Sequence, residues 1–325
     1  MRKWVGALVV LQCLCGASLA QTPPYPARPI TLIVTAAVGG VTDVVARALG
    51  QELTKAWGQP VVVENRGGAA HILGAQAVAR AEPDGYTLMV AEAGTFTINP
   101  TIYPPGKLPY DTEKDFVAIS GLVRINQALL AARSLPVGSV PDLIALAKQK
   151  PGQLTYGTAG IGSAPHMNMA LFESMADVTL LPVHYRGATP ALDDVAGGSI
   201  DLMVISVSSA LPAVQAGQVK MLGIGSAKRL PQLPDMPTVA ESGLPGYQAV
   251  TWFGLFGTAG TPNDIVGKLN DEVQRIFNDP DFRARFLDPQ LYESMAGPPD
   301  AFAAYIKAEQ QKWSKVIREA NIRLE

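Results

Sequence analysis

The sequence predicts an α/β protein built from two similar units, and three observations carry that reading. The β-branched run Ile30-Thr31-Leu32-Ile33-Val34 shows no polar alternation, as expected of a strand covered on both faces. It gives way, through Ala36-Ala37-Val38-Gly39-Gly40-Val41, to apolar residues at helical spacing (Val44, Val45, Ala48, Leu49, Leu53) that run to Trp57. The same succession returns at Leu154-Thr155-Tyr156-Gly157, the turn Thr158-Ala159-Gly160-Ile161-Gly162-Ser163, and a helix from His166 to Met175. From Ile30 to Ala91 the elements alternate β-α-β-α-β, the pattern of a parallel sheet wrapped by helices.

Each element follows from its residues. Pro60 to Glu64 reads as a second buried strand, Asn65-Arg66-Gly67-Gly68 as a turn, and Ile72 to Ala81 as an alanine-rich helix. Tyr86 to Ala91 is the third strand, with Glu92-Ala93-Gly94-Thr95 at its carboxyl end, where open α/β sheets bind ligands. Pro100 to Asp115 is a proline-rich loop. Phe116 to Val123 and Ala128 to Ala132 read as two strands leaving the first unit, and Val140 to Lys150 as a helix. Val178 to Tyr185 is a strand ending in His184-Tyr185-Arg186-Gly187, followed by a short helix from Pro190 to Ala196. Asp201 to Ile205 is a strand that leads into the hydroxyls of Ser206, Ser208 and Ser209, then a helix to Ala216 and a strand at Met221 to Gly225. Val250 to Gly257 is an apolar strand returning to the first unit. Asn263 to Asn278, Pro280 to Leu287 and Pro299 to Ile317 are helices.

A glycine turn between strand and helix leaves the helix's first N–H groups unpaired at the strand's carboxyl end, where the helix dipole favours negative charge. Most such junctions bind nothing, so spacing alone assigns no ligand. Two of them facing each other across a cleft would clamp one.

Met1 to Ala20 combines a basic start (Arg2, Lys3), an apolar run from Trp4 to Leu14 and the small-residue end Ser18-Leu19-Ala20, which predicts a secretory signal peptide cleaved after Ala20. The run is too short to span a bilayer, so the mature chain is expected to be exported and not embedded in the membrane. Cys13 and Cys15 are the only cysteines and both fall in this segment, without the small preceding residue a lipid anchor needs. The mature chain therefore has no disulfide and relies on its core. Its 305 residues suggest two domains at about 150 residues each. With 24 basic against 28 acidic residues, nothing points to nucleic acid or an anionic membrane surface.

The motifs Pro29-Ile30, Gly39-Gly40, Thr42-Asp43, Gly58-Gln59-Pro60-Val61-Val62-Val63-Glu64-Asn65-Arg66, Pro83-Asp84-Gly85-Tyr86-Thr87-Leu88 and Ile98-Asn99-Pro100 closely resemble the exported receptors of the tripartite tricarboxylate transporter family. The resemblance continues in order through Pro109-Tyr110-Asp111, Lys114-Asp115-Phe116, Tyr156-Gly157, Gly160, Gly162-Ser163, His166, Gly187 with Pro190-Ala191-Leu192, Leu233-Pro234-Asp235, Pro237-Thr238-Val239-Ala240-Glu241 and Trp252-Phe253-Gly254-Leu255. It implies a two-lobed periplasmic binding protein of type II, a Venus flytrap whose lobes are each a mainly parallel sheet flanked by helices. By the same resemblance residues 21–122 plus 251–325 form lobe 1 and residues 123–250 form lobe 2. It also implies a small organic carboxylate as ligand, held by main-chain and hydroxyl groups of the two glycine turns, and a two-component membrane permease as partner. A monomer is expected, with no cofactor.

The expected ligand set is Ala36, Gly39, Gly40, Val41 and Thr42 at the first turn, Gly94 and Thr95 after the third strand, Gly160, Gly162, Ser163 and His166 at the second turn, and Arg186 and Ser206 at neighbouring strand ends. Thr42 either caps its helix or donates to the carboxylate. Arg186 is equally readable as a carboxylate partner or a solvated loop cation, and Asp43 as a complement to its own helix N-terminus. Two departures from the family pattern matter. Thr35-Ala36-Ala37-Val38-Gly39-Gly40 lacks the family's aromatic wall, and Ile205-Ser206 replaces an acidic residue followed by Asn, which disfavours an amino-acid ligand. A larger or more apolar acid, aromatic ones included, is expected. Two other functions share some of these residues: a ligand-sensing subunit for a membrane sensor kinase, and a serine hydrolase using Ser163 and His166. The second lacks a GxSxG elbow and an acid near His166. His71, His166 and His184 lack metal-ligand spacing, and neither GxGxxG nor a Walker lysine follows strand one, so no metal and no nucleotide are expected.

Overall fold

The computed structural model of the protein describes residues 25–68 and 71–323, so the expected signal peptide lies outside the described residues. The chain runs β1 (Ile30–Val34), α1 (Val41–Trp57), β2 (Val61–Asn65), α2 (Ile72–Ala79), β3 (Thr87–Glu92), α3 (Ala93–Thr97), α4 (Asn99–Ile102), β4 (Phe116–Ala132), α5 (Val140–Gln149) and β5 (Thr155–Thr158). It continues through α6 (Ala164–Ala176), β6 (Leu181–His184), α7 (Ala188–Gly197), β7 (Leu202–Ser206), α8 (Val207–Gln215), β8 (Val219–Ile224), β9 (Val250–Thr258), α9 (Asn263–Asn278), α10 (Pro280–Phe282), β10 (Tyr292–Ser294) and α11 (Pro299–Glu319).

β1 lies between β2 and β3, parallel to both, and its apolar residues are buried from both faces, as the absence of alternation predicts. β2 differs from expectation. It is the edge strand, and Val62 and Glu64 turn to solvent because nothing among the described residues covers that side. β3 pairs antiparallel with β9, and β9 antiparallel with β4. In the second lobe β5 pairs parallel with β6 and β7, while β7 and β8 both pair antiparallel with β4. Each lobe is thus a mixed sheet with three parallel strands at its outer side and helices on its faces.

The two strands expected at Phe116–Val123 and Ala128–Ala132 are one continuous strand of 17 residues. The polar residues between them do not end it, because β4 changes partner there instead. Asn126 still pairs with Val250 of β9, whereas Gln127 pairs with Ser206 of β7. Two short helices that the sequence does not announce follow β3, α3 and then α4, which runs into the start of the loop expected at Pro100–Asp115, and the expected helix at Pro280–Leu287 is α10 followed by a wider π-turn at Arg283–Leu287.

The apolar positions divide as the layers require. Leu32, Val34, Leu49, Leu53, Leu269 and Val273 pack between the lobe 1 sheet and α1 and α9. Ile33, Met89, Phe96, Trp252, Phe256 and Phe302 fill its other face under α2, α3 and α11. α11 is long enough, at about 1.5 Å per residue, to leave that core. Its distal residues Trp313, Val316 and Ile317 join Met167, Leu171 and Phe172 of α6 in the second lobe. Among the described residues no helix is long and apolar enough to cross a membrane.

Candidate functional site

Register decides what the strand ends face. β3 runs alongside β4 through β9, and its last residue, Glu92, stands opposite Phe253, near the point where β4 leaves the lobe. β7 runs against β4 and ends at Ser206 opposite Gln127. The carboxyl ends of the parallel strands in both lobes therefore point toward the same crossing. The loops after β1, β3, β5 and β7 meet there from opposite sides, the position at which α/β sheets present ligand sites.

In lobe 1, α1 opens at Gly40 with no side-chain cap, after Gly39 at φ 84°. Its first helical hydrogen bond runs from the Val44 N–H to the Gly40 carbonyl (3.0 Å), so the N–H groups of Val41, Thr42 and Asp43 precede it. Thr42 is buried and makes no hydrogen bond through its hydroxyl among the described residues. Asp43 holds the turn rather than the mouth. Its carboxylate accepts from the Gly39 N–H (2.9 Å) and the Asn65 amide (2.9 Å) and pairs with Arg47 (2.9 Å). Burial pushes the Asp43 carboxyl up, but these partners outweigh it and hold it below the usual carboxylate range. Asn65 also donates to the Ala36 carbonyl (3.2 Å), and a Cβ on Gly67 would meet the Ala36 backbone at 2.8 Å, so the loop after β2 presses directly on the first turn.

In lobe 2, α6 opens at Ser163 without a side-chain cap, because Ser163 Oγ donates to the Gly160 carbonyl (2.7 Å). The first helical bond is Met167 N–H to Ser163 carbonyl (2.9 Å), and Pro165 has no N–H, which leaves those of Ala164 and His166. Gly160 and Gly162 adopt φ 118° and 75°, a region that disfavours any side chain. His166 folds back on this turn. Its Nδ1 accepts from the Gly162 N–H (3.0 Å), so the ring proton sits on Nε2. Burial, followed by the neighbouring His184, pushes the imidazole down to about 4, so it is neutral. Ser163 and His166 hydrogen-bond to the turn and not to each other, which leaves no nucleophile and base pair.

The remaining members of the expected set fall around these two mouths. Thr95 is buried in α3, its carbonyl accepting from the Tyr110 hydroxyl (2.9 Å) and its own hydroxyl without a partner among the described residues. Gly94 is the second residue of the same helix, which leads to α4. Ile98 and Ile102 of that segment pack into the lobe 2 core, and a Cβ on Gly162 would meet Ile102 Cδ1 at 3.1 Å. Gly94 and Thr95 thus belong to a segment that rests on the second turn. Arg186 is exposed, next to Tyr185, whose carbonyl lies 3.9 Å from a Cβ built on Gly160. Ser206 caps α8, accepting from the Ser209 N–H (3.4 Å). The expected ligand set leaves out Glu92 and His71, which pair at the ends of β3 and α2, and Asn126 and Gln127 at the crossing. The separation of His71 from Glu92 along the chain carries no signal of that pairing. A cavity of about 450 Å³ under α6 includes His166, and one of about 280 Å³ lies between α3 and α11; neither is lined by the glycine turns.

Residues 45–322 match the profile of a family described as tripartite tricarboxylate transporter family receptor. The chain is 35% identical over 320 residues to a protein of Pseudomonas sp. (strain P51) encoded in the tcbD-tcbE intergenic region, covering 98% of this chain and 94% of that one. It is 32% identical over 321 residues to BugT of Bordetella pertussis, covering 98% and 97%. Among solved structures, a protein of R. palustris with adipate is 34% identical with a TM-score of 0.79, covering 92% of this chain and 99% of that one. MatC of Rhodopseudomonas palustris with bound malate is 35% identical with a TM-score of 0.74, covering 90% and 100%.

Proposed function

Because the chain belongs to the tripartite tricarboxylate transporter receptor family, a family of receptors and not of enzymes, we propose that it is a periplasmic receptor that captures a small organic carboxylate between its lobes and delivers it to a two-component membrane permease. The observation that carries this reading is the pair of helix mouths, α1 at Gly40 and α6 at Ser163, each without a side-chain cap and each at the crossing-side end of its lobe's parallel strands. The N–H groups of Val41, Thr42, Asp43, Ala164 and His166 and the hydroxyl of Thr42 supply donors, and the two helix dipoles favour the ligand's charge. No group needs to react. Closure around the solute removes water and strengthens each of these hydrogen bonds.

Support for the solute's charge comes from the relatives solved with adipate and malate. Support for an apolar body comes from the turns themselves. Val38 and Ile161, one on each turn, are 72% and 45% exposed, and an aliphatic or aromatic chain between the lobes would cover them. Export by the segment Met1–Ala20 fits a partner in the inner membrane. A thermal-shift screen of mono-, di- and tricarboxylates, with adipate, malate and benzoate among them, tests the proposal, since a ligand of the folded state raises the melting temperature. A rise with one or more acids is expected. No rise with any acid, alongside a rise with sugars or cationic amino acids, would overturn it.

A further inference from the structure

Lobe 1 holds at its mouth an ionisable pair that the carboxylate clamp does not use. Glu92 ends β3, His71 precedes α2, and His71 Nε2 lies 3.0 Å from Glu92 Oε1 while Nδ1 lies 2.8 Å from the Thr35 carbonyl oxygen. A carbonyl only accepts, so Nδ1 carries a proton, and the contact to the carboxylate requires a second one. The pair as a whole is therefore neutral, an imidazolium beside a carboxylate. The side chains remain 24% and 30% exposed, at the crossing-side ends of β1 and β3. A Cβ built on Gly94 would lie 3.4 Å from Glu92 Oε1, so the carboxylate stands against the first turn of α3. His71 is held at φ 73°, a conformation that costs a non-glycine residue energy and persists only where surrounding contacts impose it.

The pair is tied to Thr35, which opens the turn into α1, so an anion held at that helix mouth would stand on Glu92's side of lobe 1, where an unneutralised carboxylate opposes its binding. We propose that His71 is a specificity-determining residue: by neutralising Glu92 at the mouth of lobe 1 it lets the cleft accept an anionic solute, which binds only while the pair keeps its proton. This rests on the carboxylate-receptor reading. Burial pulls the His71 pKa down, but Glu92 outweighs it and the net shift is upward; burial likewise pushes Glu92 up, and His71 brings it below the usual carboxylate range. Other charges on the neighbouring elements are already engaged: Asp43 with Arg47 on α1, and Glu64 with Arg66 on β2 and the loop after it. β1, α3 and the facing end of β9 present none. Carboxylate affinity should therefore fall as pH rises through the raised His71 pKa.

Calorimetric titration of the mature chain with adipate and malate, at pH values from about 6 to about 9, tests this. His71→Asn, a residue that tolerates the left-handed backbone, should weaken binding at least about tenfold near neutral pH. His71→Gly, free of strain, should do the same. The double variant His71→Asn/Glu92→Gln should regain the lost affinity, because the repelling charge is gone, and Glu92→Gln alone should lose the decline at high pH. In the unliganded wild type, the His71 ring resonances should titrate above the ordinary histidine range and move down in Glu92→Gln. Loss in His71→Asn that Glu92→Gln does not rescue, or unchanged affinity in both His71 variants, would overturn the proposal while leaving the receptor reading intact. A wild type that binds no carboxylate at any pH, with the His71 resonances titrating as expected, would overturn the receptor reading and with it the role of the pair.

Discussion

Acidification should weaken the fold through His166 in a way that can be worked out from its surroundings. The imidazole is 7% exposed, accepts the Gly162 N–H, and ionises only at about 4, against 6.5 in the unfolded chain. Between these values the unfolded chain holds a proton that the folded protein refuses, so stability falls as pH falls. A difference of about 2.5 units at 1.36 kcal/mol each makes the loss about 3 kcal/mol, complete near pH 4. His166→Asn is the control, since an amide oxygen can still accept the Gly162 N–H but does not titrate. Other groups act in or near the same range. Burial raises the Glu173 carboxyl, which adds stability as pH falls, and His71 loses its contribution only as pH rises through its raised value. Both proteins share these groups, so the difference between their curves isolates His166. Urea unfolding followed by circular dichroism from pH 7 to 4 should show the wild type losing about 3 kcal/mol more than the variant. Parallel curves would refute the reasoning.

Thr42→Ala should weaken carboxylate binding by about tenfold with the melting temperature nearly unchanged, as calorimetry and thermal melts would show. Gly254→Ala places a Cβ 2.3 Å from Phe302 Cζ and should cost about 1–3 kcal/mol by urea unfolding, since the ring is enclosed by Trp252 and Phe256. Asp43→Ala leaves the Gly39 N–H, the Asn65 amide and Arg47 without their acceptor; a loss of about 2 kcal/mol, discounted for the half-exposed Arg47, is expected at pH 7. Because the Asp43 pKa is lowered, the gap between wild type and variant should close only as pH falls below the ordinary Asp range, which the same unfolding series at low pH would measure.

The parts of this fold that are legible in the sequence are those in which one residue pattern has one structural solution. α9 begins and ends at the residues its apolar spacing indicates, Asn263 and Asn278, because its buried face is regular. The glycine turns are legible because Gly39, Gly160 and Gly162 occupy positive φ, which few other residues accept. The continuity of β4 was not legible: Arg124, Asn126 and Gln127 look like a break, and only their partners on β9 and β7 make them strand. The reach of α11 into the second lobe depends on Trp313 and Ile317 meeting α6, a contact between residues far apart in the chain. At the candidate site, the hydroxyls and glycines follow from local chemistry, whereas the partners of His166, His71 and Glu92 are set by how loops pack. A histidine at positive φ has no local sequence signature at all.

The central claim is that a single carboxylate is held by both helix mouths at once. Amide shifts of 15N-labelled protein during titration with the strongest ligand of the thermal screen test it most directly. The account predicts that Val41, Thr42 and Asp43 in lobe 1 and Ala164 and His166 in lobe 2 shift together along one isotherm. Shifts confined to one mouth, or two mouths responding with different affinities, would contradict it.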